Sequence, residues 1–571
     1  MKKTLLAATA AVALLCSAAK AADYDLIVRG GSIYDGSGGP AFLGDVAIAG
    51  ERIAAIAPHV KGHGRIEIDA KGKAVSPGFV NMLSHTEESL LFDKRAVSDL
   101  VQGVTLEVLG ELSMGPLSPE MKKLALQRQA PEFKYDIDWT SLGGYLDHLQ
   151  KQGLSPNLAS FVGAGTVRTA VLGEADVDPS PAQLETMQGL VRQAMEEGAM
   201  GLTDMLIYAP ETYAKTPELM ALAKVSAACG GIYTAHMRSE GDRYLEAIQE
   251  TIDIAEASGA PAEIYHFKQI GRDNWSKLDA AIGKIEAARA KGTRITADMY
   301  TYTAGATGLN AAFPPWVQDG GLEKWIERLK DPKIRARVVA EMREAHPKDW
   351  ENIFANAGPE GTLLLAVKNP ILKPMLGKTI AEIAKLWKVS PEDAVIDLVI
   401  KDGSAAGAAY FIMSEDNVRR EVALPWMSFG SDEAGPAPEG IFLQLKDHPR
   451  AYGNFARLLG HYVRDNGDVS LAEAVRRLTS FPAENLSIAE RGRLKQGYFA
   501  DIVIFDPKTI ADHATYEQSA QLATGVQDVI VNGGLAVRDG KPTGAATGKI
   551  VRGRAYGSGC KASAADWKWA P

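Results

Sequence analysis

Between Ile232 and Gly271 the chain alternates two textures. IYTAH and AEIYH are short apolar runs rich in β-branched and aromatic residues, and each ends in a histidine, His236 or His266. Between them, YLEAIQETIDIAEASG repeats apolar residues at helical spacing (Leu245, Ile248, Ile252, Ile254, Ala255) and closes on Gly259. The pattern predicts strand, helix, strand, and a crossover of that length predicts parallel strands. Both histidines then stand at the C-terminal end of one sheet, where parallel α/β folds collect chemistry.

The same alternation runs from Pro77 to about Gly435. Strands are predicted at 78–85, 104–111, 158–165, 200–207, 232–236, 262–266, 295–302 and 425–432. Eight β runs with helices between them predict an α/β fold of the (β/α)8, TIM-like barrel type. The barrel spans 77–490, with helices over 436–490 and an insertion at 310–424 before the last strand. An insertion in that position reads as a lid or specificity element. The two chain ends have a different pattern, with short strands split by Gly and Asp turns. LIVRGGSIYDG (26–36) and VIVNGGLAVRDG (529–540) echo each other. This predicts that 22–76 and 491–558 fold together into one small β-sandwich domain.

Composition narrows the class. The chain has 571 residues, 46% of them apolar and 23% charged, with a net charge of -9. These values fit a globular protein and argue against a nucleic-acid partner. Residues 1–21 carry Lys2 and Lys3, then LLAATAAVALLCSAA, then Ala19-Lys20-Ala21. That is the pattern of a cleavable signal peptide cut near Ala21, which predicts a periplasmic or secreted protein. No later run approaches the roughly 20 apolar residues that span a bilayer. Cys229 and Cys560 remain after cleavage; one disulfide is formally possible, but Cys229 reads as a buried helix residue and Cys560 as part of a loose tail.

Asp432, in FGSDEAG, stands at the end of the last predicted strand. Two strand-end histidines and a strand-end carboxylate on one barrel face suit metal-assisted hydrolysis: the carboxylate can bind metal or take a proton from activated water. Arg238 and Lys268 each lie two residues beyond a histidine, so both are candidates to clamp a substrate carboxylate. Tyr208 and Tyr300 are further candidates at the same mouth.

The motifs SPGFVNMLSH, QGVTLEVLGE, TAHMRSEGDR, IYHFKQIG, ITADMYTYTAG, SFGSDEAG, HPRAYGNFARLLGHYVR and RGRLKQGYFADIVIFDP together resemble the amidohydrolase superfamily, in its N-acyl-D-amino-acid deacylase (D-aminoacylase) branch. The resemblance covers nearly the whole chain after residue 21. It implies a zinc hydrolase that releases a D-amino acid and a carboxylate from a small N-acylated amide. By the same resemblance His236 and His266 match the metal histidines, Asp432 the catalytic aspartate, and Arg450, in HPRAYG, a motif residue that reaches the site.

Two positions depart from the family pattern. Where the family's first strand ends in Asp-x-His-x-His, this chain has Asn81-Met82-Leu83-Ser84-His85; where the family has Gly-Asn-Cys, it has Gly110-Glu111-Leu112. The expectation is therefore one divalent ion, zinc by the family, held by His236, His266 and a carboxylate. Glu111 is the first choice to replace the thiolate, and Glu107, on the same strand face, is the second. His85 becomes a weak ligand or a hydrogen-bond donor, and Asp432 a ligand that also moves protons. Alternative readings keep the fold but change the bond to a cyclic imide or a dipeptide, or leave a solute-binding member without turnover.

Overall fold

The computed structural model describes residues 23–560, so the expected leader at 1–21 lies outside the described residues. The barrel strands are Phe79–Ser84, Val104–Leu109, Asn157–Ser160 with Val162–Gly163, Gly201–Met205, Ile232–His236, Ala262–Ile264, Ile295–Met299 and Met427–Phe429. All their ladders are parallel. The third strand bends: its first half pairs with Val104–Leu109 and its second with Gly201–Met205. The last and first strands meet through Asp432 N donating to Leu83 O at 2.9 Å and Ser431 N donating to Asn81 Oδ1 at 2.8 Å.

The helix Tyr244–Ser258 buries Ile248, Ile252, Ile254 and Ala255 and ends on Gly259 at φ 74°, where a residue without Cβ adopts the left-handed cap at little cost. The strands on either side pair in register Tyr233 with Ala262, which aligns the ends that carry His236 and His266.

Both chain ends meet in one nine-stranded sheet, joined where Ile502–Phe505 pairs antiparallel with Ala74–Pro77. The insertion forms a three-stranded antiparallel sheet of Ala304–Gly308, Gly407–Phe411 and Thr362–Ala366, with helices between. It therefore begins at Ala304, earlier than the predicted 310. AGATG has one β-branched residue and four small ones, so its strand is set by pairing with 407–411 rather than by local preference.

The cysteine reading is corrected. Cys229 is buried as expected, but Cys560 is bonded to it across 331 residues of sequence. The tail is held rather than loose. Val551 N donates to Leu158 O and Gly553 N to Gly198 O, which carries residues 551–560 across the N-terminal ends of the barrel strands. Among the described residues no helix is long and apolar enough to cross a membrane.

Candidate metal and hydrolytic site

Three buried atoms converge at the C-terminal mouth of the barrel. Glu111 Oε1 lies 2.8 Å from His236 Nδ1 and 2.8 Å from His266 Nε2, and the two nitrogens are 2.9 Å apart. Each candidate ligand stands at or just past the end of its strand, and two of them sit on left-handed backbone: Glu111 at φ 64° and His266 at φ 35°. Asp432, at φ 51°, repeats this. Non-glycine residues avoid that region, and it persists only where neighbours over-determine it. Those neighbours are present. Glu111 N donates to Thr203 Oγ1 at 3.0 Å, His266 N to Asp298 Oδ1 at 2.8 Å, and Asp432 N to Leu83 O at 2.9 Å.

Behind the ligands lies a second layer. Glu240 Oε1 is 2.8 Å from His266 Nδ1 and 2.6 Å from Lys268 Nζ, and Lys268 Nζ is itself 2.7 Å from that nitrogen. With a metal at the cluster, the proton left on His266 belongs at Nδ1, where it is donated to Glu240 and frees the Nε2 lone pair. Burial would raise the Glu240 carboxyl, but the charges of Lys268 and His266 outweigh it and bring it down to about 2. Burial and Lys268 lower the His266 imidazole, yet Glu240, Asp432 and Glu111 carry it up to about 10. Burial likewise opposes ionisation of Glu111, and the two histidines overcome it, holding the carboxyl well below its usual range.

A second triad shares Glu111. Glu111 Oε2 is 3.5 Å from His85 Nε2, which is 3.1 Å from Asp432 Oδ1. Burial of the His85 imidazole opposes its charge, but hydrogen bonds to Asp432 and Glu87 push it well up. The other Asp432 oxygen lies 2.7 Å from Arg450 Nη1. Burial would raise this carboxyl too, but Arg450 holds it far below the usual range. Leu83, at the family's missing histidine, is fully buried beside Gly110 and Gly430, where a Cβ would collide with it.

A cavity of about 570 Å³ opens over these groups, lined by His85, Glu111, Tyr208, His236, His266, Lys268, Tyr300, Asp432 and Arg450 among others. Arg450 stacks on the Tyr300 ring, 4.5 Å from its centroid, and the buried Tyr300 hydroxyl has no hydrogen-bond partner among the described residues. Tyr208 packs edge-on against His236 at 5.2 Å.

Two residues named from the sequence, Arg238 and Glu107, lie away from the histidine pair. Arg238 is not at the mouth: its guanidinium is bonded to Glu250 at 2.9 Å and to the carbonyls of Thr212 and Ala214. The strand ends at His236, so strand alternation no longer aims residue 238. Lys268 does line the cavity but is held by Glu240 within the site. Glu107, the second choice for the carboxylate, lies deeper in the barrel and accepts from Asn81 Nδ2 at 3.0 Å, away from the histidine pair.

Sequence reasoning missed Glu240, Asp298, Thr203 and Glu351. Glu351 arrives from the insertion and accepts from Glu240 N at 2.9 Å, Gly241 N at 3.1 Å and the Ser239 hydroxyl. Glu240 had a signal, a carboxylate four residues after a strand-end histidine. The others reach the site only through the fold.

The model of the amidohydrolase family matches residues 67–537. The chain is 31% identical to D-aminoacylase from Alcaligenes xylosoxydans xylosoxydans over 530 residues, covering 92% of this chain and 97% of that protein. It is 31% identical to N-acyl-D-glutamate deacylase from the same organism, covering 92% and 96%. The crystal structure of N-acyl-D-glutamate deacylase from Bordetella bronchiseptica, complexed with zinc and a phosphonate mimic of the tetrahedral intermediate, superposes with a TM-score of 0.76 at 28% identity, covering 93% of this chain and 99% of that one.

Proposed function

From the premise that this chain belongs to the amidohydrolase family, we propose that it is a metal-dependent hydrolase that cleaves the linear amide bond of an N-acyl-D-amino acid. The observation that carries the reading is the convergence of Glu111 Oε1, His236 Nδ1 and His266 Nε2 within 2.9 Å of one another, all buried. Two imidazole nitrogens and a carboxylate oxygen with the cavity side left open form a catalytic zinc donor set. When bound there, zinc acidifies water and polarises the scissile carbonyl.

The chain's own residues do the rest. Arg450, buried on Tyr300, offers a planar guanidinium for the substrate carboxylate, and the partnerless Tyr300 hydroxyl adds a donor beside it. Asp432 accepts the proton from the attacking water and returns it to the departing amine. While Arg450 pairs with Asp432 alone, that carboxylate is a weak base; a substrate carboxylate sharing the guanidinium restores its basicity. His85 donates to Asp432 and keeps it facing the cavity.

One ion per chain is the expected content. The second triad includes Asp432, whose outer oxygen is already committed to the Arg450 cation, and a like charge there weakens a second cation. Elemental analysis of the purified protein, with Glu111→Ala and His236→Ala alongside, tests this. One zinc per chain, lost in both variants together with hydrolysis of N-acyl-D-amino acids, is the expected result. A metal-free wild type, or turnover that survives in both variants, would sink it.

We also propose export to the periplasm. The leader-like residues 1–21 and the Cys229–Cys560 disulfide both support an oxidising destination. N-terminal sequencing of the periplasmic fraction should begin near Ala22; an uncut chain in the cytoplasm would refute export.

A further inference from the structure

The hollow over the site does not end at its own wall. A second chamber of about 640 Å³ shares His85, Ala366, Gly407, Ala434, Leu445 and Asp447 with the first, so the two adjoin along these residues. Its far side is aromatic. Phe92 lies edge-on to Phe133 at 5.4 Å and to Tyr135 at 5.8 Å, and Phe133 stands 6.2 Å from Phe442. Phe92 ends a short helix, Phe133 and Tyr135 share one connecting segment and Phe442 sits in a short 3-10 turn, and all four are partly exposed rather than sealed in the core.

The cations of the chamber are already engaged, while Glu87 Oε2 has no hydrogen-bond partner among the described residues. Arg128 is bonded to Glu174 at 2.8 Å and to Glu323 at 2.7 Å. Lys373 holds Glu132 at 3.1 Å and Gln444 at 2.9 Å, Lys368 donates to the Arg128 carbonyl, and the Tyr135 hydroxyl donates to Glu88 at 2.8 Å. With the cations engaged, the far side offers a ligand ring surface, whose quadrupoles favour another aromatic group in stacked or edge-on contact.

The order of groups across the site says which part of a substrate reaches it. Arg450 contacts Asp432, Asp432 contacts His85, and His85 forms part of the shared wall. With the substrate carboxylate at Arg450 and the amide over Glu111 and the histidines, the acyl group extends past His85. We propose that the second chamber is the acyl pocket, and that the substrates are N-acyl-D-amino acids whose acyl group carries an aryl ring. Hydrolysis adds one water across the amide and releases the aryl-substituted carboxylic acid and the free D-amino acid. This inference rests on the deacylase reading above.

The experiment compares N-acetyl and N-(4-phenylbutanoyl) derivatives of the same D-amino acids, using the zinc-loaded wild type and Phe133→Ala, Phe442→Ala and Ala125→Trp. Phe133, Phe442 and Ala125 line the chamber and lie outside the reacting centre. The wild type should favour the arylacyl substrate by about tenfold or more in kcat/KM, the size of effect a filled apolar subsite gives. The variants should lose that preference and leave N-acetyl turnover within about twofold. Equal wild-type rates, or losses that fall equally on both substrates, would overturn the proposal. So would variants that change selectivity among D-amino acids at fixed acetyl. If neither acyl series is hydrolysed, the deacylase reading fails, and calorimetry with 4-phenylbutanoate judges the chamber separately. Binding to wild type that is lost in Ala125→Trp supports an aryl pocket, and no binding to wild type refutes it.

Discussion

At the scale of single residues, the site depends on groups that never meet substrate. His266 can present Nε2 to a metal only while its Nδ1 proton is held, and Glu240 holds it at 2.8 Å with its charge fixed by Lys268. Partners of this kind typically tune metal affinity 10–100-fold. Glu240→Gln should therefore weaken zinc binding by about that factor in competition with a chromophoric chelator, and activity should return at saturating zinc. Unchanged affinity would remove Glu240 from this role. The candidate ligands were legible because each stands where a β-rich run stops and chemistry is expected. Glu240 was less so, because it lies in a stretch without periodicity. Arg238 was misread for the same reason: past His236 the chain is no longer a strand, and spacing of two carries no direction. Leu83 shows the opposite case, where one residue in a motif told that a histidine ligand was gone.

At the scale of elements, the insertion is part of the site's support as well as its cover. Glu351 reaches from it to the loop 239–241 and accepts from two backbone N–H groups and the Ser239 hydroxyl, all in a buried setting. Removing that acceptor strands Glu240 N and the Ser239 hydroxyl and leaves Gly241 N only its 3.3 Å bond to Ser239 Oγ, all in the loop that carries Glu240. Each unsatisfied buried group costs about 1–3 kcal/mol before relaxation or water entry, so Glu351→Ala should lose roughly 2–4 kcal/mol in urea unfolding. Zinc affinity should fall with it, because Glu240 shifts. Loss of stability with zinc affinity intact would mean that the insertion braces the fold without tuning the site. The barrel strands were readable as short apolar runs between helices, and the parallel order followed from the crossovers. The insertion's own sheet was not, because its first strand is small residues paired across about a hundred positions of chain. No local pattern encodes such a partner. The 331-residue disulfide is unreadable for the same reason.

At the scale of the molecule, closing a barrel this large has left many carboxyl groups without water. Burial pushes Glu107, Glu263, Glu351 and Asp447 each up to about 7, and Glu421 up to about 8. An unfolded carboxyl titrates near 4.3. Between that pH and about 7–8 the folded protein therefore holds more protons than the unfolded chain. Stability falls as pH rises through that window. Carboxyls pulled down act in the other direction: Glu240 and Glu67, both at about 2, contribute stability that is lost only as pH falls below about 4. The two sets predict greatest stability in mildly acidic solution and a decline toward pH 8. Zinc binding tightens as pH rises and runs against this trend, so the clean measurement is a difference. Glu421 accepts from Gln269 Nε2 at 3.1 Å through one oxygen, while its other oxygen has no partner among the described residues. Glu421→Gln keeps the accepting oxygen and removes the ionisation. The variant's advantage over wild type in unfolding free energy should grow between pH 5 and pH 8, by on the order of 2 kcal/mol. A difference that stays flat across that range would mean water reaches Glu421 and that this end of the barrel is wetter than its packing implies.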